Sequence, residues 1–213
     1  MAGCCDPRGC DRVFSGRLAA RRVSRYRARG LDADAGLMVD LLARGGIEGA
    51  TVLEIGGGAG EIGIELLRRG AASVTNLELS PGYEAEAARL LAEGGLTGRV
   101  DRRLLDIAAD PDAVAPADVV VLHRVVCCYP DPGTLLGAAA DHTRRQLAFS
   151  HPRRNLATRV LAAGQNLPHR LLGRDFRVFA HPPAQMLAVL DQHGLHPTPA
   201  HRGAVWQVTT ATR

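Results

Sequence analysis

Apolar positions along the chain follow helical spacing first and then gather into short blocks. Over residues 12–28, Phe14, Leu18, Val23 and Tyr26 lie loosely on one side of a predicted helix that Gly30 ends. Asp32 or Asp34 is placed to cap a second helix through Ala43, which carries Leu37, Met38, Leu41 and Leu42. After Gly45, Gly46 and Gly49 the pattern alternates. Strands are predicted at Thr51–Ile55, Ser73–Leu79, Arg99–Leu104, Ala117–His123 and Arg145–Ser150. Helices are predicted between them at Gly60–Arg69, Gly82–Glu93 and Pro132–His142, the second with Ala85, Ala88, Leu91 and Ala92 toward the core. Residues 153–173 read as partly helical and Pro182–His193 as a helix. His196–Arg202 and Val205–Thr210 are separated only by Gly203 and Ala204, so they form a hairpin. This βαβα order implies a mostly parallel sheet with right-handed crossovers and helices on both faces. The strand–helix pattern begins only near residue 49, so 1–48 reads as a helical extension that closes over the rest, 49–213.

Composition narrows the class. At 213 residues with 46% hydrophobic content, the chain is long enough for one packed core and too apolar for disorder. All 26 basic residues are arginine, and the first thirty residues hold eight of them against Asp6 and Asp11. Such an arm suits a solvated helix face or an anionic acceptor, and less well a nucleic acid. No apolar run has the length of a membrane span, and the N-terminus lacks the apolar core of a signal peptide. Five cysteines without disulfide-framework spacing point to a reducing, cytoplasmic setting.

The chemistry concentrates in Val52-Leu53-Glu54-Ile55-Gly56-Gly57-Gly58-Ala59-Gly60-Glu61-Ile62-Gly63, where a buried strand runs into glycines and then a helix. Glycines let backbone approach a ligand closely, and a helix N-terminus presents unpaired N–H groups. The six residues from Gly58 to Gly63 also fit the dinucleotide pattern G-x-G-x-x-G, which by itself is a weak signal. Glu54 inside the strand favours S-adenosylmethionine, whose sulfonium and ammonium suit an acid where an anionic pyrophosphate does not. Glu78 ends the second strand and is placed to accept both ribose hydroxyls, a feature shared with NAD sites. Asp106, after the third strand, is placed to accept an adenine amino group. Leu79 and Ile107 stand next to these two acids as apolar neighbours of the nucleoside.

The run EIGGGAG resembles the E/D-x-G-x-G-x-G signature of class I S-adenosylmethionine-dependent methyltransferases. Glu78 and Asp106 match that family's second and third acidic positions, Asp118–His123 resembles its fourth strand, and the final hairpin its C-terminal end. The likeness spans about residues 50–212. It implies a Rossmann-like, doubly wound α/β fold: a mostly parallel seven-stranded sheet with a C-terminal antiparallel hairpin. It also implies S-adenosylmethionine bound by Glu54, Gly56, Gly58, Gly60, Glu78, Leu79, Asp106, Ile107 and His123. No N/D-P-P-Y motif follows the fourth strand, which argues against nucleic-acid or protein amino groups and for a small-molecule acceptor.

His123-Arg124-Val125-Val126-Cys127-Cys128-Tyr129 follows that strand, where acceptor and methyl group meet. His123 is a candidate general base, its unperturbed pKa being near 6.5, or it orients a carbonyl or the sugar. Tyr129 either stacks on the acceptor or packs on the sheet. Arginines and histidines in 151–181 suit a carboxylate or phosphate on the acceptor. No metal-ligand spacing like that of a zinc finger is present, though paired thiolates can hold a soft metal ion. Cys4-Cys5 and Cys127-Cys128 are two thiol pairs that would meet only if the extension folds over the site. An NAD-dependent oxidoreductase and a non-catalytic nucleoside-binding module remain the competing readings, and nothing in the sequence speaks to oligomeric state.

Overall fold

The computed structural model describes residues 13–213. Two helices, α1 (Gly16–Arg29) and α2 (Ala33–Arg44), lead into β1 (Thr51–Ile55), α3 (Glu61–Arg68), β2 (Ser73–Glu78), α4 (Glu84–Glu93), β3 (Val100–Leu104) and β4 (Ala117–Leu122). There follow α5 (Pro132–Asp141), β5 (Thr143–Pro152), α6 (Leu156–Leu171), α7 (Pro183–Gln192), β6 (His196–Arg202) and β7 (Trp206–Thr212). The seven strands form one sheet in the order β3-β2-β1-β4-β5-β7-β6. The first five are parallel, and β7 runs antiparallel to both β5 and β6. This is the Rossmann-like sheet that the sequence implies. The winding reverses between β1 and β4, which opens a crevice at their carboxyl ends.

Strand alternation divides the core in two. Val52, Val74, Val119 and Val121 face α1–α4, and Leu53, Ile55, Val120, Leu122 and Phe149 face α5 and α7. Central strands buried on both faces must be apolar throughout, and β4 is fully buried except at Asp118. Asp118 stays polar because it accepts hydrogen bonds from the Thr51 backbone N–H and hydroxyl. Edge strand β6 carries Pro197 and Pro199, which deny it donors for further pairing.

Two expectations need correction. On α4 the buried residues are Glu86, Ala87, Leu90 and Leu91, while Ala85, Ala88 and Ala92 are exposed. A 3-10 turn at Pro81–Tyr83 precedes the helix and buries Tyr83, so the inward stripe runs 83, 87, 90, 91. The core also begins before residue 49. Ala19 and Val23 of α1 and Met38 and Leu42 of α2 are almost wholly buried in the same cluster as β1, α3 and α4. The N-terminal helices cover a sheet face that would otherwise be wet.

Candidate active site

The glycine turn between β1 and α3 forms the floor of the crevice. Gly56 has φ of +62°, and a Cβ there would lie 2.5 Å from Val125 Cγ2. Gly58 has φ of +57° and donates its N–H to Glu78 Oε2 at 2.8 Å. Gly60 is the N-cap of α3. Arg102 of β3 holds the turn from below, bonding Gly58 O at 2.9 Å, Asn76 Oδ1 at 2.8 Å and Glu84 at 2.6 Å. Its identity as an edge-strand arginine gave no hint of this role.

A cavity of about 520 Å³ sits above the turn. Every predicted site residue except Gly60 lines it: Glu54, Gly56, Gly58, Glu78, Leu79, Asp106, Ile107, His123 and Tyr129. Glu78 is buried, and its Oε1 accepts from the N–H groups of Leu79 (2.8 Å) and Ser80 (3.0 Å). With Gly58 N–H on Oε2, three of about four lone-pair positions are filled by backbone. Asp106 Oδ1 accepts from Ala108 N–H, and Oδ2 accepts from the Tyr129 hydroxyl at 3.0 Å. Tyr129 is thereby tied to the acid after β3 and not to the far wall.

Glu54 differs from the reading of it as a charged acid facing a sulfonium. Its side chain is turned under the glycine turn, where Oε2 accepts from Gly63 N–H at 3.2 Å and from Asn76 Nδ2 at 2.8 Å. Burial pushes its carboxyl up to about 8, against the Asn76 hydrogen bond, so it is largely protonated at neutral pH. The charge that was to separate S-adenosylmethionine from NAD is therefore not supplied by Glu54. Glu61, in the first turn of α3, is the acid nearest to that role. It lines the cavity, and burial raises its carboxyl while Arg22, His123 and Arg102 pull it down. Its only sequence signal was its place just after the glycines.

Glu54 makes stability depend on pH. A carboxyl whose folded pKa lies above its unfolded value of about 4.3 stabilises the fold fully below that value and loses the contribution as pH rises through about 8. Urea unfolding is expected to show stability falling between these limits, with a slope of up to about 1.4 kcal/mol per pH unit. Glu54→Gln keeps an acceptor for Gly63 and Asn76 and should flatten that slope. An unchanged slope in the variant would assign the titration elsewhere.

His123 and Arg124 carry the opposite wall. Ser150 Oγ lies 3.1 Å from His123 Nδ1 and accepts the Arg124 N–H at 2.8 Å. His123 Nε2 faces Asp32 Oδ2 at 3.5 Å, longer than a normal hydrogen bond. Arg124 has φ of +58°, a costly conformation for a non-glycine residue, and it turns the guanidinium onto Asp32 (3.2 Å) and Asp34 (3.3 Å). The same group stacks over Trp206 at 4.8 Å. Asp32 also caps α2 through Ala35 N–H. Burial works to raise the Asp32 carboxyl, but His123, the Ala35 N–H and Arg124 together hold it well below the usual carboxylate range. One aspartate thus ties the N-terminal helices to the reaction wall, a role invisible while it read only as a cap.

Cys127 and Cys128 line the cavity with Sγ atoms 3.6 Å apart, and the Cys128 hydrogen bond, against burial, lowers the Cys127 thiol. Cys4, Cys5 and Cys10 lie outside the described residues, and with them the expected meeting of two thiol pairs.

Comparison with known proteins decides between the nucleotides. Residues 52–146 match a family described as a methyltransferase domain. The matched segment is a methyltransferase domain, consistent with the class I S-adenosylmethionine-dependent family. A search of curated proteins gave no match. Among solved structures, the methyltransferase resembles the magnesium protoporphyrin IX methyltransferase of Synechocystis with bound S-adenosylhomocysteine. That pair has 23% identity and a TM-score of 0.67, covering 84% of this chain and 81% of the other. An O-methyltransferase family protein of Burkholderia thailandensis has 22% identity and a TM-score of 0.67, over 84% of this chain and 56% of that one. An O-methyltransferase family 2 protein of Planctomyces limnophilus, in complex with apigenin, has 18% identity and a TM-score of 0.67, over 92% and 61%. At these identities the likeness is one of fold. S-adenosylmethionine is the methyl donor, and the NAD reading falls away.

Proposed function

We propose that this methyltransferase transfers the methyl group to an oxygen of a small organic acid. The observation that carries this reading is the pair Arg22 and Arg25, one turn apart on α1. Both line the cavity, and while burial raises the Glu61 carboxyl there, the charge of Arg22 reaches far enough in to pull it down. Two guanidinium groups over a cavity walled by Leu18, Phe14, Phe176 and Trp206 suit a carboxylate on a flat apolar body. The Synechocystis protein is named for a protoporphyrin and the Planctomyces protein is in complex with apigenin, which is in keeping with such a body.

Bound S-adenosylmethionine supplies an electrophilic methyl group on a sulfonium. In this reading Glu78 takes a ribose hydroxyl on its remaining acceptor position and Asp106 the adenine amino group, with Leu79 and Ile107 against the base. The N–H groups of the glycine turn meet the amino-acid carboxylate, and Glu61 takes the ammonium. Glu54 supports the turn from beneath. An ionised carboxylate needs no proton removed before it attacks. That agrees with His123, whose two ring nitrogens are turned to Ser150 and Asp32. His123 therefore positions the wall, and the main task of the protein is alignment and exclusion of water. Helices α1 and α2 act as the roof of the site. We place the enzyme in the cytoplasm, and no helix among the described residues is long and apolar enough to cross a membrane.

The Arg22→Gln, Arg25→Gln double variant tests the reading. With an aromatic-acid panel and S-adenosylhomocysteine release as the assay, kcat/KM is expected to fall about tenfold to a hundredfold. Calorimetric affinity for S-adenosylhomocysteine should stay unchanged. Turnover of neutral phenols or amines in preference to acids would refute the acceptor class.

A further inference from the structure

Helix α6 is turned the wrong way for a helix of a soluble protein. Of its sixteen residues only Thr158 is buried. Eight large apolar side chains stand exposed among the described residues, and six belong to α6 and its C-cap: Leu156, Val160, Leu161, Leu167, Leu171 and Leu172. Leu156 and Leu171 are 76% and 78% exposed. Leu156, Val160, Leu167 and Leu171 recur at i, i+4, i+11 and i+15, which places them in one row. The residues that face the protein, Thr158, Ala162, Asn166 and His169, are small or polar and lie on the opposite side. Asn166 is fixed there by two hydrogen bonds to the Val178 backbone. The apolar row therefore points straight into solvent, and an exposed patch of this kind marks a contact surface.

Charge selects the occupant. From residue 151 to 174 the chain holds Arg153, Arg154, Arg159, Arg170 and Arg174 and no aspartate or glutamate. Arg159 and Arg170 flank one edge of the apolar row. Two copies of α6 laid face to face would bring like charges together with nothing to offset them. An apolar row edged by arginines matches the boundary between anionic headgroups and acyl chains. We propose that α6 is a membrane-docking helix that seats this face of the enzyme on an anionic lipid bilayer, lying in the interface without crossing it. Gln165 of the same helix lines the cavity, so the docked face is also a wall of the site.

Vesicle flotation of the full chain tests this, with phosphatidylcholine alone and with phosphatidylglycerol added. Two variants accompany it, Leu167→Glu with Leu171→Glu, and Arg159→Gln with Arg170→Gln. All four positions are exposed, and circular dichroism and S-adenosylhomocysteine affinity serve as controls for folding. The wild type should float with phosphatidylglycerol vesicles, and each variant should bind them about tenfold or more weakly. Added salt should weaken the wild type. Equal partition of wild type and both variants, or no preference for anionic vesicles, overturns the proposal. So does a lipid-free dimer that the leucine substitutions convert to monomer, since a second copy would then be the occupant.

Discussion

Replacing Glu78 with alanine is expected to weaken S-adenosylmethionine about a hundredfold, the largest loss of any single side chain in the cavity. Two effects combine. The one acceptor position that the backbone leaves free on this carboxylate would contribute ~1.5–3 kcal/mol by taking a ribose hydroxyl. The same carboxylate also holds the N–H groups of Gly58, Leu79 and Ser80. Its removal releases the glycine turn from the end of β2 and leaves three backbone donors to find water. Glu78→Gln separates the two effects, because its single carbonyl oxygen keeps part of the backbone anchoring but loses the charge that strengthens the ribose hydrogen bond. Titration calorimetry with S-adenosylhomocysteine measures the loss, and the unfolding midpoint measures the anchoring. An alanine variant that binds as tightly as the parent would mean that the ribose is held by another group.

Removing residues 1–30 is expected to unfold the enzyme, not merely to slow it. Ala19 and Val23 are wholly buried against the sheet face that α3 and α4 share. Phe14 packs edge-on against Phe176 at 5.5 Å, and its carbonyl accepts from Ser80 Oγ at 2.9 Å. Tyr26 donates to Glu65 at 2.6 Å, and Arg27 pairs with Glu93 at 2.6 Å. A fully buried valine contributes ~1.5–3 kcal/mol, and the aromatic contacts add to it. Against a total stability of about 5–15 kcal/mol, the loss of the whole helix is decisive. The truncated chain should therefore show no cooperative thermal transition in the range of the parent. A folded truncation with an unchanged midpoint and lowered turnover would restore the picture of α1 as a detachable lid.

Much of this was legible in the chain itself. Buried parallel strands must be apolar on both faces, so Thr51–Ile55 and Ala117–Leu122 announce themselves as short apolar blocks, and their predicted limits match to within a residue. Alternation of such blocks with helices leaves few topologies, and a glycine-rich turn after the first strand marks the floor of the crevice. Glu78 and Asp106 follow from their places at strand ends, because strand ends in this fold open on the crevice.

Other features depended on residues distant in sequence. Glu54 reads as a charge until its burial against Gly63 and Asn76 raises its pKa. Asp32 reads as a helix cap until folding brings it to His123 and Arg124, some ninety positions later. Tyr129 reads as stacking on an acceptor or packing on the sheet, and only the fold brings its hydroxyl to Asp106. The outward turn of α6 is beyond any periodicity, because an amphipathic pattern states that a helix has an apolar face but not what that face meets. Local sequence determines which backbone each segment prefers and which side chains share a face. Solvation and charge pairing at any one side chain depend on neighbours supplied by other segments, and only the tertiary structure decides them.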